Sequence, residues 1–160
     1  MREIKFRGLS AKGKWVFGLI VKDVPHSTQY WDDYPCRISW HPEAGGQSNC
    51  PVRKGTEGQY TGLEDSNGVE IYEGDIVEFI YWWFDGNEAE SLLIGTIVYS
   101  DNSMSFQLKG VKNKAWEKHT GYENDTEYLT PFSELNFDEA DFKVIGNIHE
   151  TPELLITKGE

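Results

Sequence analysis

The stretch Gln59-Tyr60-Thr61-Gly62-Leu63-Glu64-Asp65-Ser66-Asn67-Gly68-Val69-Glu70-Ile71-Tyr72-Glu73-Gly74-Asp75-Ile76-Val77-Glu78-Phe79 reads as two tight turns leading into an apolar strand. The first turn is Asp65-Ser66-Asn67-Gly68. Asn-Gly tolerates positive φ, and Asp65 is placed to accept from the backbone N–H two residues on. The second is Glu73-Gly74-Asp75, where Asp75 can cap the turn that launches the strand. From Ile76 to Phe84 the chain is almost wholly apolar. Val77, Phe79, Tyr81 and Trp83 share one face; Ile76, Ile80, Trp82 and Phe84 share the other, with Glu78 among them. Both faces of this strand therefore need cover.

Toward the C-terminus the same period-two reading continues. Asp85-Gly86-Asn87 breaks the strand, Leu92 to Tyr99 forms the next, and Asp101-Asn102-Ser103 turns it. Met104, Phe106 and Leu108 then alternate with Ser105, Gln107 and Lys109, which completes an antiparallel meander. Phe142 to Ile148 is a last strand. Thr151-Pro152-Glu153-Leu154-Leu155 fits a short helix, with Thr as cap and Pro in first position. Toward the N-terminus, Ile4 and Phe6 alternate with charged residues, and Ser10-Ala11-Lys12-Gly13 supplies a turn. Trp15, Phe17, Leu19 and Val21 then share one face, which makes an opening β-hairpin. Cys36 to Trp40 is a short strand. His41 to Gly58 is rich in Gly, Pro, Ser and Asn and is expected to be a linker or long loop. Any internal boundary in an otherwise single domain, 1–160, would fall there.

Short strands at close spacing with little helix predict a mainly β protein. The expected form is an SH3-like small barrel or roll of antiparallel strands, with an N-terminal β-hairpin and a short C-terminal helix. The Gly-Asp-x-Val start of the central strand is a feature that small SH3-like barrels share.

At 160 residues the chain has length enough for one domain or two very small ones. Six Trp, eight Tyr and eight Phe supply a core, and sixteen Gly fit a fold with many turns. Net charge is −12. From Gly55 to Leu108 there is no Lys, Arg or His, while eleven carboxylates occur there. Such a surface repels phosphate and attracts a basic partner. No apolar run is long enough to cross a bilayer, and charge appears at once in Met1-Arg2-Glu3-Ile4-Lys5. The expectation is a soluble intracellular protein in which Cys36 and Cys50 are free thiols.

The chemical constellations are weak. His26, Cys36, His41 and Cys50 form a ligand set zinc accepts, but their spacing matches no finger or ribbon, so no metal is expected. Asp65-x-Asn67-Gly68 mimics part of a calcium loop, yet Leu63 and Gly74 occupy the first and last ligand positions. Glu73 and Asp75 are better explained by the turn than by acid–base chemistry. There is no Gly-x-Ser-x-Gly elbow and no Gly-rich phosphate loop. No catalytic residue and no cofactor is assigned.

Three blocks carry a family resemblance. They are Ile4-Lys5-Phe6-Arg7-Gly8 with Trp15-Val16-Phe17-Gly18; Gly58 to Leu63 with Asp65, Asn67-Gly68 and Ile71 to Val77; and Val144-Ile145-Gly146-Asn147-Ile148 with Glu150 and Pro152-Glu153-Leu154-Leu155. In these the chain resembles the YopX family of phage and prophage proteins. It departs from the pattern at Thr151, where Asn is frequent, at His149, where Tyr is frequent, and in the segment before Gly58. The resemblance implies a mainly β, SH3-like roll or barrel, a phage or prophage origin and residence in the host cytoplasm. It implies no activity and no site residues.

The functional expectation is a non-enzymatic accessory protein that acts through protein–protein contacts, with a basic-surfaced host or phage protein and with itself. Trp82 and Phe84 are candidate interaction residues, because an uncovered aromatic face is an association site. A second reading places single-stranded nucleic acid on the basic loop 109–118, with Lys112 and Lys114 on phosphate and Trp116 stacking a base. The net charge opposes it, since such binding rests on counterion release from a positive surface. A third is an enzyme with a site that no motif reveals.

Overall fold

The computed structural model describes residues 3–22, 33–43, 45–84, 88–111, 129–131 and 142–155. They form antiparallel sheets with no α-helix among the elements described. The chain divides into two compact units, Met1–Gly62 and Leu63–Glu160.

The first unit begins with β1 (Phe6–Leu9) and β2 (Trp15–Lys22). Gly13, at φ 71°, and Ser10 close the turn between them: the Ser10 hydroxyl donates to Lys14 O at 2.8 Å and accepts from Lys14 N at 3.1 Å. β3 (Cys36–Trp40) pairs with β2, and β4 (Ser48–Val52) pairs with β3. A strand thus occupies the segment expected to be a linker. The alternation within it explains why. Cys50 and Val52 lie in register with Ile38 and Cys36, which gives β4 an apolar side, and Pro51 is tolerated because β4 is a sheet edge. The sheet curls until Val52 bridges Ser10 and Arg53 N donates to Leu9 O at 2.8 Å. Inside the curl, Cys36, Ile38 and Val52 form a small core lined by Phe6, Val16, Ile20 and Trp40. The sheet order is β4-β3-β2-β1-β5-β6, with β5 (Gly58–Glu64) leading the chain from the first unit into the second and β6 (Glu70–Tyr72) following it.

The second unit holds the sheet β10-β9-β8-β7-β11. β7 (Asp75–Phe84), β8 (Glu88–Ser100) and β9 (Ser105–Val111) are the expected meander. β10 (Leu129–Pro131) and β11 (Lys143–Asn147) flank it. Its core is Ile71, Val77, Phe79, Ile97, Phe106, Leu108 and Phe142, with the Phe79 and Phe142 rings stacked 5.2 Å apart. Ile76, on the opposite face of β7 from Val77, is also fully buried. This start of the strand is covered on both sides, as its sequence requires.

Two expectations are corrected. A closed barrel is not found among the described residues: the first sheet approaches closure through one bridge only, and the second is an open sheet. In the first sheet β1 spends Phe6 and Arg7 on β5, which leaves only its end at Leu9 and Ser10 to meet β4. The C-terminal helix is a 3₁₀ turn, Pro152–Leu155. Thr151 holds the N-cap position, its carbonyl accepting from Leu154 N at 3.1 Å, but its hydroxyl does not cap the turn. Its Oγ1 instead accepts from Asn147 N at 3.1 Å and donates to Asn147 O at 3.2 Å. Asn147 Oδ1 takes the capping role one turn earlier, accepting from His149 N and Glu150 N at 3.0 Å each.

Candidate functional site

The two carboxylates singled out by sequence are structural. Asp65 is buried, and its Oδ1 accepts from Asn67 N at 2.8 Å and Val69 N at 2.9 Å. Its Oδ2 accepts from Val144 N at 3.0 Å, which ties the first turn to β11. Burial alone would raise its pKa. The N–H groups of Val69, Val144 and Asn67 outweigh burial and hold the carboxyl below the ordinary carboxylate range. Gly68 takes φ 78°, as the turn demands. Asp75 is fully enclosed, and its Oδ2 accepts from Tyr72 N at 2.8 Å across the Gly74 turn. Tyr72 in turn donates its hydroxyl to Glu70 Oε2 at 2.7 Å. Both aspartates accept from backbone N–H groups of the turns they close.

The metal candidates do not assemble. Cys36 is buried and donates its thiol to Glu57 Oε1 at 3.1 Å; Cys50 is half-buried on β4; His41 is exposed. Neither cysteine is in a disulfide. His26 lies outside the described residues. Among the described residues no group of three or more His, Cys, Asp or Glu side chains is placed to hold a metal. No helix there is long and apolar enough to cross a membrane.

Of the candidate interaction residues, Trp82 and Phe84 stand in β7 opposite Glu90 and Glu88. Their side chains, and all of Lys112, Lys114 and Trp116, lie outside the described residues. Gln107, buried on β9, donates its amide to Ser103 Oγ at 2.9 Å, and its Oε1 has no partner among the described residues.

A further surface stands out on β2, on the face shared by Trp15, Phe17, Leu19 and Val21. Phe17, Leu19 and Val21 are 45, 56 and 45% exposed. Val16 and Ile20, on the opposite face, pack into the small core. Next to the row, the Arg7 guanidinium lies 4.7 Å from the centroid of the Trp15 ring. The signal was present in the sequence. β2 has apolar residues on both faces, and a hairpin strand needs only one to meet a core.

Charge separates by unit as well. Residues 1–62 carry nine Lys and Arg against six Asp and Glu; residues 63–160 carry six against twenty-one. The first unit is therefore +3 and the second −15, which sum to the −12 of the chain.

Residues 36–156 match the family model described as YopX protein. Among solved structures, the chain is similar to protein EF1440 from Enterococcus faecalis, at 21% identity over 98% of this chain and 100% of that one, with a TM-score of 0.43. No curated protein matches.

Proposed function

The chain belongs to the YopX family, and from its sequence and fold we propose that it is a non-enzymatic phage or prophage accessory protein, resident in the host cytoplasm, that works through protein–protein contacts. The observation that carries this reading is the base-free span from Gly55 to Leu108. It runs from β5 into β9, and all of it after Gly62 lies in the unit of charge −15. Asp65 and Asp75 are committed inside the fold, but Glu64 and Asp101 are exposed and Glu73 and Glu78 are half-exposed. A protein with a lysine-rich surface is the partner such a field selects and steers. The meander that starts at Gly74-Asp75 is what supports an SH3-like roll. Self-association through the Trp82 and Phe84 strand belongs to the same reading.

Affinity capture of partners from host lysate at physiological salt, followed by mass spectrometry, tests it. A basic protein should be retained by the parent chain and lost from a Glu64→Gln, Glu73→Gln, Glu78→Gln variant. In parallel, a lysine-rich peptide should bind the parent and weaken as salt rises. Retention of no partner at physiological salt removes the proposal.

A further inference from the structure

We propose that the outer face of β2 in the first unit is a second docking surface, for an amphipathic protein helix with acidic flanks. It goes beyond the acidic-field reading and does not depend on it. The row Phe17, Leu19, Val21 is about half exposed, on a strand whose other face already meets a core. Cross-strand register sets its charge. Phe17 stands opposite Arg7 on β1, Leu19 opposite Ser39 on β3, and Val21 opposite Arg37 on β3. Of the two guanidiniums across from the ends of the row, Arg7 is buried and Arg37 is the one within a partner's reach, and no carboxylate is in register with any of the three. Arg7 is fixed over Trp15. Arg37 is more accessible, and its exposed 3.3 Å bond from Nη1 to Asn49 Oδ1 is one that a carboxylate can replace with a stronger, charge-assisted pair. The surrounding unit is +3 in a chain of −12, so an acidic partner is drawn to this unit and repelled by the other.

The geometry selects a helix. β1 pairs with Trp15–Gly18 of β2 and β3 with Leu19–Lys22, and a strand added beside either half would lie in the plane of the sheet and leave the apolar row uncovered. Recognition must come from side chains. Alternate residues on a strand are about 6.8 Å apart, and residues i and i+4 on a helix are about 6 Å apart. A helical apolar stripe therefore follows the three β2 side chains in step. Single-stranded nucleic acid fits less well. Two rings on this side of the sheet are already covered by cations, Trp15 by Arg7 and Tyr60 by Lys5, whose Nζ lies 5.7 Å from the ring centroid. The exposed row is mainly aliphatic and offers little for bases to stack on. A second copy placed face to face would bring two units of the same positive sign together.

The test uses the full chain and a fluorescein-labelled synthetic helix with a leucine stripe bordered by glutamates, followed by anisotropy. The parent should bind it. Leu19→Thr with Val21→Thr should weaken binding about tenfold or more, as loss of buried anchors does. Arg37→Gln should weaken it several-fold at low salt and less at high salt. Far-UV circular dichroism of the variants should match the parent, because all three side chains are at the surface. No binding, equal binding by the double variant, or equal binding of a helix with lysines replacing the glutamates overturns the proposal. So does a DNA oligonucleotide that binds in place of the helix and is lost in the same variants. Sedimentation showing a dimer abolished by the double variant would assign the face to a second copy instead, and also overturns it. The lysine-rich peptide reports on the acidic second unit, so failure here leaves that reading standing.

Discussion

In the second unit a strand that is apolar on two faces starts out covered on both; in the first unit a strand that is apolar on two faces has one of them in solvent. β7 buries Ile76 on one side and Val77 and Phe79 on the other. β2 buries part of one side against Cys36, Ile38 and Val52 and leaves Phe17, Leu19 and Val21 out. The seven-residue core of the second unit also contrasts with the three-residue core of the first. The same period-two pattern thus has two outcomes, and what differs is whether the unit has enough other apolar mass to cover a second face. Apolar surface left exposed in a small unit is where association is expected; apolar surface enclosed in the larger core is where stability resides.

The largest effect should come from the enclosed side. Phe79→Ala removes a fully buried ring stacked on Phe142, and should cost about 3–5 kcal/mol, lowering the denaturant midpoint without changing the native fold. A loss under about 1 kcal/mol would show that the second core is not the more tightly packed of the two.

Asp65→Ala ranks next. Three backbone N–H groups lose their acceptor at once, and the tie from the first turn to β11 is cut. The expected cost is about 2–3 kcal/mol at neutral pH. The pH dependence follows from the direction of the shift. The folded carboxyl titrates below its unfolded value, so its contribution is fully present above the ordinary carboxylate range and is lost as pH falls through the folded pKa. Acid unfolding curves for parent and variant should therefore converge at low pH. Curves that stay parallel would mean that the carboxylate charge is not what holds this turn.

How far these features could be read in advance depends on the residue. Asn67-Gly68, Gly74 and the alternation of β7 to β9 were legible, because turn chemistry and period-two patterning are local. The role of Asp65 was legible only in part. Its bond to Asn67 N is local, whereas its bond to Val144 N joins residues far apart in sequence. β4 was hidden because Gly45, Gly46 and Pro51 read as loop, while the pairing that makes it a strand comes from β3. The exposed side of β2 was hidden for a different reason. Alternation tells which residues share a face, and only the tertiary fold tells which face is covered.

Gly8→Ala probes the smaller core from within. A Cβ at Gly8 would come within 2.7–2.9 Å of the three Val52 side-chain carbons, where β4 curls back toward β1. Overpacking of this kind costs about 1–3 kcal/mol. Paired with Val52→Ala, which opens the space the methyl needs, part of that loss should be recovered. A double variant no more stable than the sum of the single changes would show that the curl does not bring these side chains together.

The smallest effect is the one that separates the two faces of β2. Leu19→Thr should change stability by no more than about 0.5 kcal/mol, because the side chain is mostly in water and Thr suits a strand. Ile20→Thr, one residue along, places a hydroxyl among Cys36, Ile38 and Val52 and should cost about 1–3 kcal/mol. The two substitutions share a strand, a sheet position and nearly the same change in chemistry, so propensity and local sequence cancel between them. What remains is the face. Equal losses in denaturant titrations would mean that Leu19 is covered in the folded protein, and the docking surface would lose its basis. A loss confined to Ile20 leaves an apolar row whose removal costs the fold nothing, as expected of side chains kept for a partner.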